Sequence, residues 1–203
     1  MKFRCKVCGY VHEGDAAPEI CPLCKKDSSY FVAVEQPKTV EVKEVKTGEI
    51  KVLPYDKLVI ATGADNFKPP MEGINATGVF GMKTPKDAVD MQNYIKVEGV
   101  ESAVVIGAGL IGMECAEAFA NWGLDVTVIE MQNSIFPQVL DAEMGAVFQN
   151  YLEGEDLNFM LNTKVEKILV NEEGKVSGVQ TDKGVVDAQL VLVAVGVRPM
   201  VQL

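Results

Sequence analysis

The sequence predicts an α/β protein, a three-layer domain with a small β-meander, preceded by a small metal-knuckle domain. Three observations carry this. Two C-x2-C pairs stand within residues 5 to 24. An apolar run at 103–106 passes through closely spaced glycines into a helix-like stretch. Residues 164–195 then alternate apolar and polar positions around Gly-containing turns, the period of half-buried strands.

Composition sets the limits. A chain of 203 residues with 48% hydrophobic content can bury the core of one large domain or two small ones. It has no run of about 18 apolar residues that could span a bilayer, and "MKFRCKVC" lacks the apolar stretch of a secretory signal. A cytoplasmic protein is therefore expected, and there paired cysteines hold metal more often than they form disulfides. Charge is unevenly divided. Residues 1–35 are balanced, so the formal −10 lies wholly in residues 36–203. Neither part offers the basic stripe that phosphate neutralisation needs, which argues against nucleic-acid binding.

The first element is "CKVCGYVHEGDAAPEICPLC". Two C-x2-C turns facing each other can give Cys5, Cys8, Cys21 and Cys24 to one tetrahedral ion, either zinc or iron. Gly9 eases the first turn and Pro22 stiffens the second, while Lys25 stands where a second glycine is expected. About 35 residues cannot fold on their own core, and metal binding can supply the deficit. His12, the only histidine, reads as an exposed loop residue.

A short linker, "QPKTV", follows. "TVEVKEVKTGEIKVLPYDKLVIATGA" then predicts three strands, the first two a hairpin turning at Thr47–Gly48 and the third the apolar run into Gly63. "KTPKDAVDMQNYIKVEG" predicts a helix with Thr84 as N-cap, Pro85 in the first turn, Asp87 three after the cap and Gly99 closing it.

"ESAVVIGAGLIGMECAEAFANWGLDVTVIE" carries the chemistry. Ala103–Ile106 predict a buried strand, Leu110–Trp122 a helix, and Val126–Ile129 a second strand. Gly107, Gly109 and Gly112 form G-x-G-x-x-G between the first strand and the helix, and Glu130 lies 18 residues after the last glycine. That combination identifies a Rossmann-like dinucleotide site. Gly107 permits the tight turn, Gly109 lets backbone approach a pyrophosphate, and Gly112 lets helix and strand pack closely. The helix N-terminus, with Leu110 and Ile111, faces the phosphate. Glu130 can accept both ribose hydroxyls and would repel a 2′-phosphate, which favours NADH over NADPH. Cys115 shares a helix face with Ile111, Phe119 and Trp122 and reads as core. Glu114 either complements the helix dipole or stands near a nicotinamide.

"LDAEMGAVFQNYLEGE" predicts another helix, "LNFML" a strand, and the meander turns at Glu173–Gly174 and Lys183–Gly184. A faint internal echo links "KLVIATGADNFKP" with "QLVLVAVGVRP": each leaves an apolar strand through glycine and soon reaches proline.

Two resemblances follow from these residues. The N-terminal segment, with Tyr10, Val11 and Phe31 around the knuckles, resembles the rubredoxin-like domain of rubrerythrins, which implies a one-electron iron tetrathiolate. Residues 39–203, through "YDKLVIATGA", "IGAGLIGMECAEAF", "VTVIE" and "AVGVRP", resemble the middle of a pyridine nucleotide-disulfide oxidoreductase of the NADH oxidase and coenzyme A-disulfide reductase type. That resemblance implies Ala61, Thr62 and Gly63 against FAD. It also implies Gly107, Gly109, Gly112 and Glu130 around NAD(H), Gly196 on the NAD side and Glu114 near the nicotinamide. The expected domains are residues 1–35, a partial FAD segment at 36–80, and an NAD(H) domain at 81–203. The chain departs from the family in having one glycine fingerprint, with the cysteine knuckles standing where the FAD unit's own fingerprint falls, and in lacking the family's redox cysteine. The expected function is NADH oxidation through flavin to the iron centre, with oxygen, peroxide or a redox partner protein as acceptor. The alternative is an NADH-binding module with a structural zinc knuckle.

Overall fold

The computed structural model describes residues 1–34, 38–153 and 157–201. The chain divides into two compact units, 1–61 and 62–203.

In the first unit, β1 (Lys2–Cys5), β2 (Val11–Glu13) and β3 (Phe31–Val34) form an antiparallel sheet in the order β2-β1-β3. A single 3-10 turn, Ser28–Tyr30, leads into β3, and the Asp27 side chain caps it by accepting the Ser29 N–H at 2.9 Å. Cys5, Cys21 and Phe31 are its only buried core residues among those described, with Phe3, Tyr10, Ala17 and Cys24 packed around them. A core this small matches the expectation that burial alone does not hold the segment.

β4 (Lys38–Lys43) and β5 (Ile50–Tyr55) form the expected hairpin, with Gly48 in left-handed conformation at the turn. Residues 36 and 37 of the expected linker lie outside the described residues. The expected third strand does not form. Leu58, Val59 and Ile60 are exposed and outside every ladder, Val59 at 85%. Consecutive apolar residues suit a strand paired on both edges and covered on both faces. No described residue pairs with this run.

The second unit is built on a five-stranded parallel sheet. Its strands are β7 (Val79–Phe80), β8 (Ser102–Ile106), β9 (Asp125–Ile129), β10 (Leu157–Met160) and β14 (Leu190–Val193), in the order β10-β9-β8-β14-β7. β7 joins this sheet, so residues 62–80, expected with the FAD segment, fall within the larger unit. One face carries the helices α1 (Pro85–Glu98), α2 (Leu110–Asn121) and α3 (Ala142–Glu153). The other carries the meander β11 (Val165–Val170), β12 (Val176–Thr181) and β13 (Gly184–Asp187), turning at Gly174 and Gly184.

The strand period of two decides which residues serve which layer. Ala103 and Val105 pack with Met91, Met113, Cys115 and Phe119 on the helical side. Val104 and Ile106 pack with Ile168, Val176 and Val179 on the meander side. Each fully buried Val, Ile or Phe contributes about 1.5–3 kcal/mol. Cys115 is a core residue, as its helical spacing predicts, while Ile111 and Trp122, at the two ends of α2, stay half exposed. α1 begins with Asp87 accepting the Thr84 N–H at 2.7 Å and its hydroxyl at 2.9 Å, and Gly99 closes it at φ 64°.

The internal echo has a structural counterpart. The chain after Gly63 forms β6 (Ala64–Asn66) and the chain after Gly196 forms β15 (Val197–Pro199), and the two pair antiparallel. Phe67 N–H donates to Gly196 O at 2.9 Å and Met200 N–H to Gly63 O at 2.8 Å, a reciprocal exchange. Among the described residues, no helix is long and apolar enough to cross a membrane.

Candidate functional site

A cavity of about 920 Å³ opens at the C-terminal ends of β8, β9 and β14, where open parallel sheets bind ligands. Its walls include Ile106, Gly107, Gly109, Leu110, Ile111, Ile129, Glu130 and Gly196. Six of the residues expected around a dinucleotide, Gly107, Gly109, Leu110, Ile111, Glu130 and Gly196, thus line this cavity, while the packed Gly112 and the exposed Glu114 do not.

The glycines divide by task as the fingerprint predicts. Gly107 has φ 104°, and a Cβ there would stand 2.6 Å from Ala194 O. A Cβ on Gly112 would collide with Gly107 O, so α2 packs on β8 only because this position is bare. Gly109 is different. Its backbone is extended, it is the N-cap of α2, and a Cβ would meet nothing within 4 Å. The empty space over Gly109 is the cavity itself. It has no side chain to cap the helix, so the first-turn N–H groups remain available to an anion, where the helix dipole favours negative charge.

Glu130 sits at the exit of β9. One carboxylate oxygen accepts the Ala108 N–H and the other accepts the Gln132 N–H, both at 2.8 Å. The side chain is thereby fixed beside the glycine turn. Each oxygen keeps a lone pair for a hydroxyl donor.

The loop residues Phe136 to Val139, which sequence reasoning passed over, form part of the wall. Phe136 adopts φ 48°, donates its N–H to Ala108 O at 2.8 Å, and stacks edge-on to Phe148 with centroids 6.1 Å apart. Thr163, Lys164, Val165 and Glu166 also line the cavity. "SIFPQ" had no period or motif to single it out. A non-glycine residue in left-handed conformation is invisible to pattern reading.

Glu114 is exposed on α2 and is not part of the cavity wall. Ala61, Thr62 and Gly63 are exposed as well, with Gly63 at φ 75°. These three residues do not by themselves enclose a flavin.

The first unit brings its four cysteines together. All four Sγ atoms lie within 4.8 Å of one another, with Cys5–Cys24 at 3.6 Å and Cys8–Cys21 at 3.5 Å. A tetrahedral ion with metal–sulfur bonds of about 2.3 Å needs edges of about 3.8 Å, so the donor set fits. The two knuckles repeat one backbone pattern. Gly9 N–H donates to Cys5 O and Lys25 N–H to Cys21 O, while Cys5 N–H donates to Tyr10 O and Cys21 N–H to Lys26 O. Lys25 fills the second glycine position at φ 60°, the counterpart of Gly9 at 78°.

The thiols are tuned by backbone and by one another. The Cys8 N–H is the main influence holding Cys5 below the usual thiol range. Burial opposes ionisation of Cys21, yet the N–H groups of Cys24 and Leu23 with the neighbouring thiols bring it down to about 7. For Cys24 the Lys26 N–H favours the thiolate, but burial and the surrounding sulfurs push it up to about 12. Cys5 and Cys21 are buried, while Cys8 is exposed and Cys24 partly so. His12 is partly buried in β2 and is not part of the sulfur cluster.

Comparison with known proteins agrees with both halves. Residues 24–203 match the family model described as pyridine nucleotide-disulphide oxidoreductase, and residues 3–32 match that of the rubrerythrin, rubredoxin-like domain. The chain is 41% identical over 158 residues to an NADH oxidase of Methanocaldococcus jannaschii, covering 78% of this chain and 35% of that protein. It is 34% identical over 211 residues to an NAD(P)H coenzyme A polysulfide/persulfide reductase of Pyrococcus horikoshii, covering 97% and 46%. Among solved structures, an NAD-dependent persulfide reductase from A. fulgidus aligns with a TM-score of 0.72 at 41% identity, covering 83% of this chain and 31% of the other. A water-forming NADH oxidase from Lactobacillus brevis bound to NADH aligns at 0.71 and 29% identity, covering 81% and 36%. The chain spans less than half the length of each of these relatives.

Proposed function

Because this chain belongs to the pyridine nucleotide-disulphide oxidoreductases and carries a rubrerythrin-type rubredoxin-like domain, we propose that it is an NADH-dependent oxidoreductase feeding electrons to a rubredoxin-type iron centre. The observation that carries the reading is the cavity at Gly109, where an uncapped helix N-terminus and the Glu130 carboxylate line one space of about 920 Å³. The α2 N–H groups hold the pyrophosphate, Glu130 accepts the ribose hydroxyls, and its charge disfavours a 2′-phosphate. Gly196 lines the same cavity and is assigned to the NAD side by resemblance. Ala61, Thr62 and Gly63 are assigned to flavin contact and Glu114 to the nicotinamide end, by resemblance. Cys5, Cys8, Cys21 and Cys24 hold the metal.

Iron held by Cys5, Cys8, Cys21 and Cys24 would supply one-electron transfer and could not accept a hydride, so a flavin would be needed to convert between the two. The three flavin-side residues of this chain, Ala61, Thr62 and Gly63, do not by themselves define that site. The terminal acceptor is oxygen, peroxide or a redox partner protein. A cytoplasmic location is supported by the paired thiols, which stay reduced there and free to bind metal.

NADH titration of the purified chain, metal analysis, and diaphorase activity with added FAD test the reading together. Iron, NADH binding and FAD-dependent turnover support it. The exposed flavin-side exit favours one second reading, a non-enzymatic NADH-binding module with structural zinc. Zinc, NADH binding and no turnover with FAD select that alternative.

A further inference from the structure

The knuckle face of the first unit carries a charge pattern that the NADH site does not explain. Residues 4–9 and 21–26, which contain all four cysteines, carry Arg4, Lys6, Lys25 and Lys26 and no carboxylate. All four cations are exposed. The Arg4 guanidinium reaches the first knuckle, with Nη2 3.8 Å from where a Gly9 Cβ would stand. Lys26 Nζ lies 5.3 Å from the centre of the Tyr30 ring, and Tyr30 O accepts the Lys6 backbone N–H, so Tyr30 contacts a basic residue of each knuckle. Two of the unit's carboxylates have partners of their own. Glu13 pairs with Lys2 at 2.7 Å, at the end of β1 away from Cys5, and Asp27 accepts the backbone N–H of Ser29. Residues 1–35 are neutral overall, so this is a segregation of charge within a balanced segment.

Lys25 gives an independent reason to read the pattern as functional. It occupies a left-handed position, where its counterpart in the first knuckle is glycine. An L-residue is strained there and glycine is not. Such strain persists where the side chain has a use, and this side chain faces solvent beside the partly exposed Cys24. Val7 and Leu23, at matching positions between the paired cysteines, are 53% and 67% exposed and supply apolar contact at the centre of the basic rim.

We propose that the knuckle face, ringed by Arg4, Lys6, Lys25 and Lys26 with Val7 and Leu23 at its centre, docks a redox protein that presents carboxylates around its own redox group. This rests on the electron-transfer reading and names the partner's chemistry. Complementary charge raises the rate of encounter and orients the sulfur cluster toward the partner, and the effect weakens with salt.

Two measurements on the full chain test it. In the first, the zinc-loaded, 15N-labelled protein is titrated with hexaglutamate at low salt. Amide shifts at Lys6, Val7, Lys25 and Lys26, lost in the Lys25→Glu/Lys26→Glu variant whose other resonances stay in place, are expected. Shifts confined to other residues, no shifts at all, or shifts unchanged in the variant overturn the proposal. In the second, the ferrous form is oxidised by ferricyanide, one electron passing from iron to give ferrocyanide with no bond broken. The rate is expected to fall as salt rises, against the chain's net charge of −10. It is also expected to fall about 3- to 10-fold in the variant at low salt. A rate that rises with salt and ignores the variant overturns the docking surface while leaving the iron centre standing. A centre that exchanges no electrons removes the electron-transfer reading, and the peptide titration still decides the surface.

Discussion

Replacing Gly109 and Gly112 separately by alanine divides ligand approach from packing within one motif. At Gly109 the backbone is extended, which any residue adopts, and an added Cβ meets nothing within 4 Å. Alanine is a poorer N-cap than glycine, so Gly109→Ala lowers stability by about 0.5–1 kcal/mol. Its methyl group nonetheless enters the space where the pyrophosphate meets the α2 N–H groups. NADH affinity is expected to fall at least tenfold, about 1.4 kcal/mol. At Gly112 the added Cβ collides with Gly107 O and stands 3.3 Å from Val105 Cγ1. The Gly107 backbone cannot easily retreat, because its N–H donates to Ile129 O at 2.8 Å. Overpacking of this kind costs about 1–3 kcal/mol or more, against about 1 kcal/mol gained in helix propensity. Gly112→Ala is therefore expected to lower the melting temperature by a few degrees as well as to weaken NADH binding. Fluorescence titration with NADH and thermal unfolding of both variants make the comparison. The reasoning is refuted if Gly109→Ala binds NADH within twofold of the parent, or if Gly112→Ala is as stable as the parent.

Three further outcomes are expected. Glu130→Gln replaces one of two carboxylate acceptors with a donor facing an N–H, so NADH affinity should drop by about 1–2 kcal/mol and the preference over NADPH should narrow; equal discrimination by isothermal titration contradicts the role given to Glu130. Lys25→Gly removes left-handed strain and should stabilise the metal-loaded first unit by about 1 kcal/mol, read as a higher denaturant midpoint for metal release; a lower midpoint counts against the strain. In the metal-free protein Cys24 is pushed up to about 12 and Cys21 brought down to about 7. Above about pH 7 the Cys24 proton must leave as metal binds, and zinc affinity should rise about tenfold per pH unit from it. Below about pH 7 Cys21 is protonated too, and the dependence should steepen. A chelator-competition series across this range checks the slope, and a flat profile is incompatible with it.

Much of this site is legible in the sequence because its chemistry depends on glycine and cysteine spacing. G-x-G-x-x-G followed at 18 residues by Glu130 gives the turn, the packing and a carboxylate fixed beside the turn, and each glycine has the surroundings that spacing implies. C-x2-C repeated after twelve residues brings four sulfurs together. Lys25 is visible as a departure from expectation, but its left-handed backbone is not. What escapes sequence reading depends on neighbours. Leu58–Ile60 read as a strand by composition, yet a strand needs partners, and no described residue pairs with it. β7 is only two residues long and gives no periodic signal, although it extends the parallel sheet beside β14. The Phe136–Val139 part of the wall is held by long-range backbone bonds such as Phe136 N–H to Ala108 O, which no local pattern encodes. Glu114 illustrates the opposite limit: its place on α2 is fixed by spacing, and its role is not.

The most direct test of a relay from NADH to the cysteine knuckle is an anaerobic titration of the iron-loaded chain with NADH in the presence of FAD, following the visible absorption of the ferric tetrathiolate. The expected result is bleaching that requires both NADH and FAD, is complete at half an equivalent of NADH per iron, and returns with oxygen. An absorption band that dithionite bleaches but NADH with FAD leaves untouched would contradict the relay.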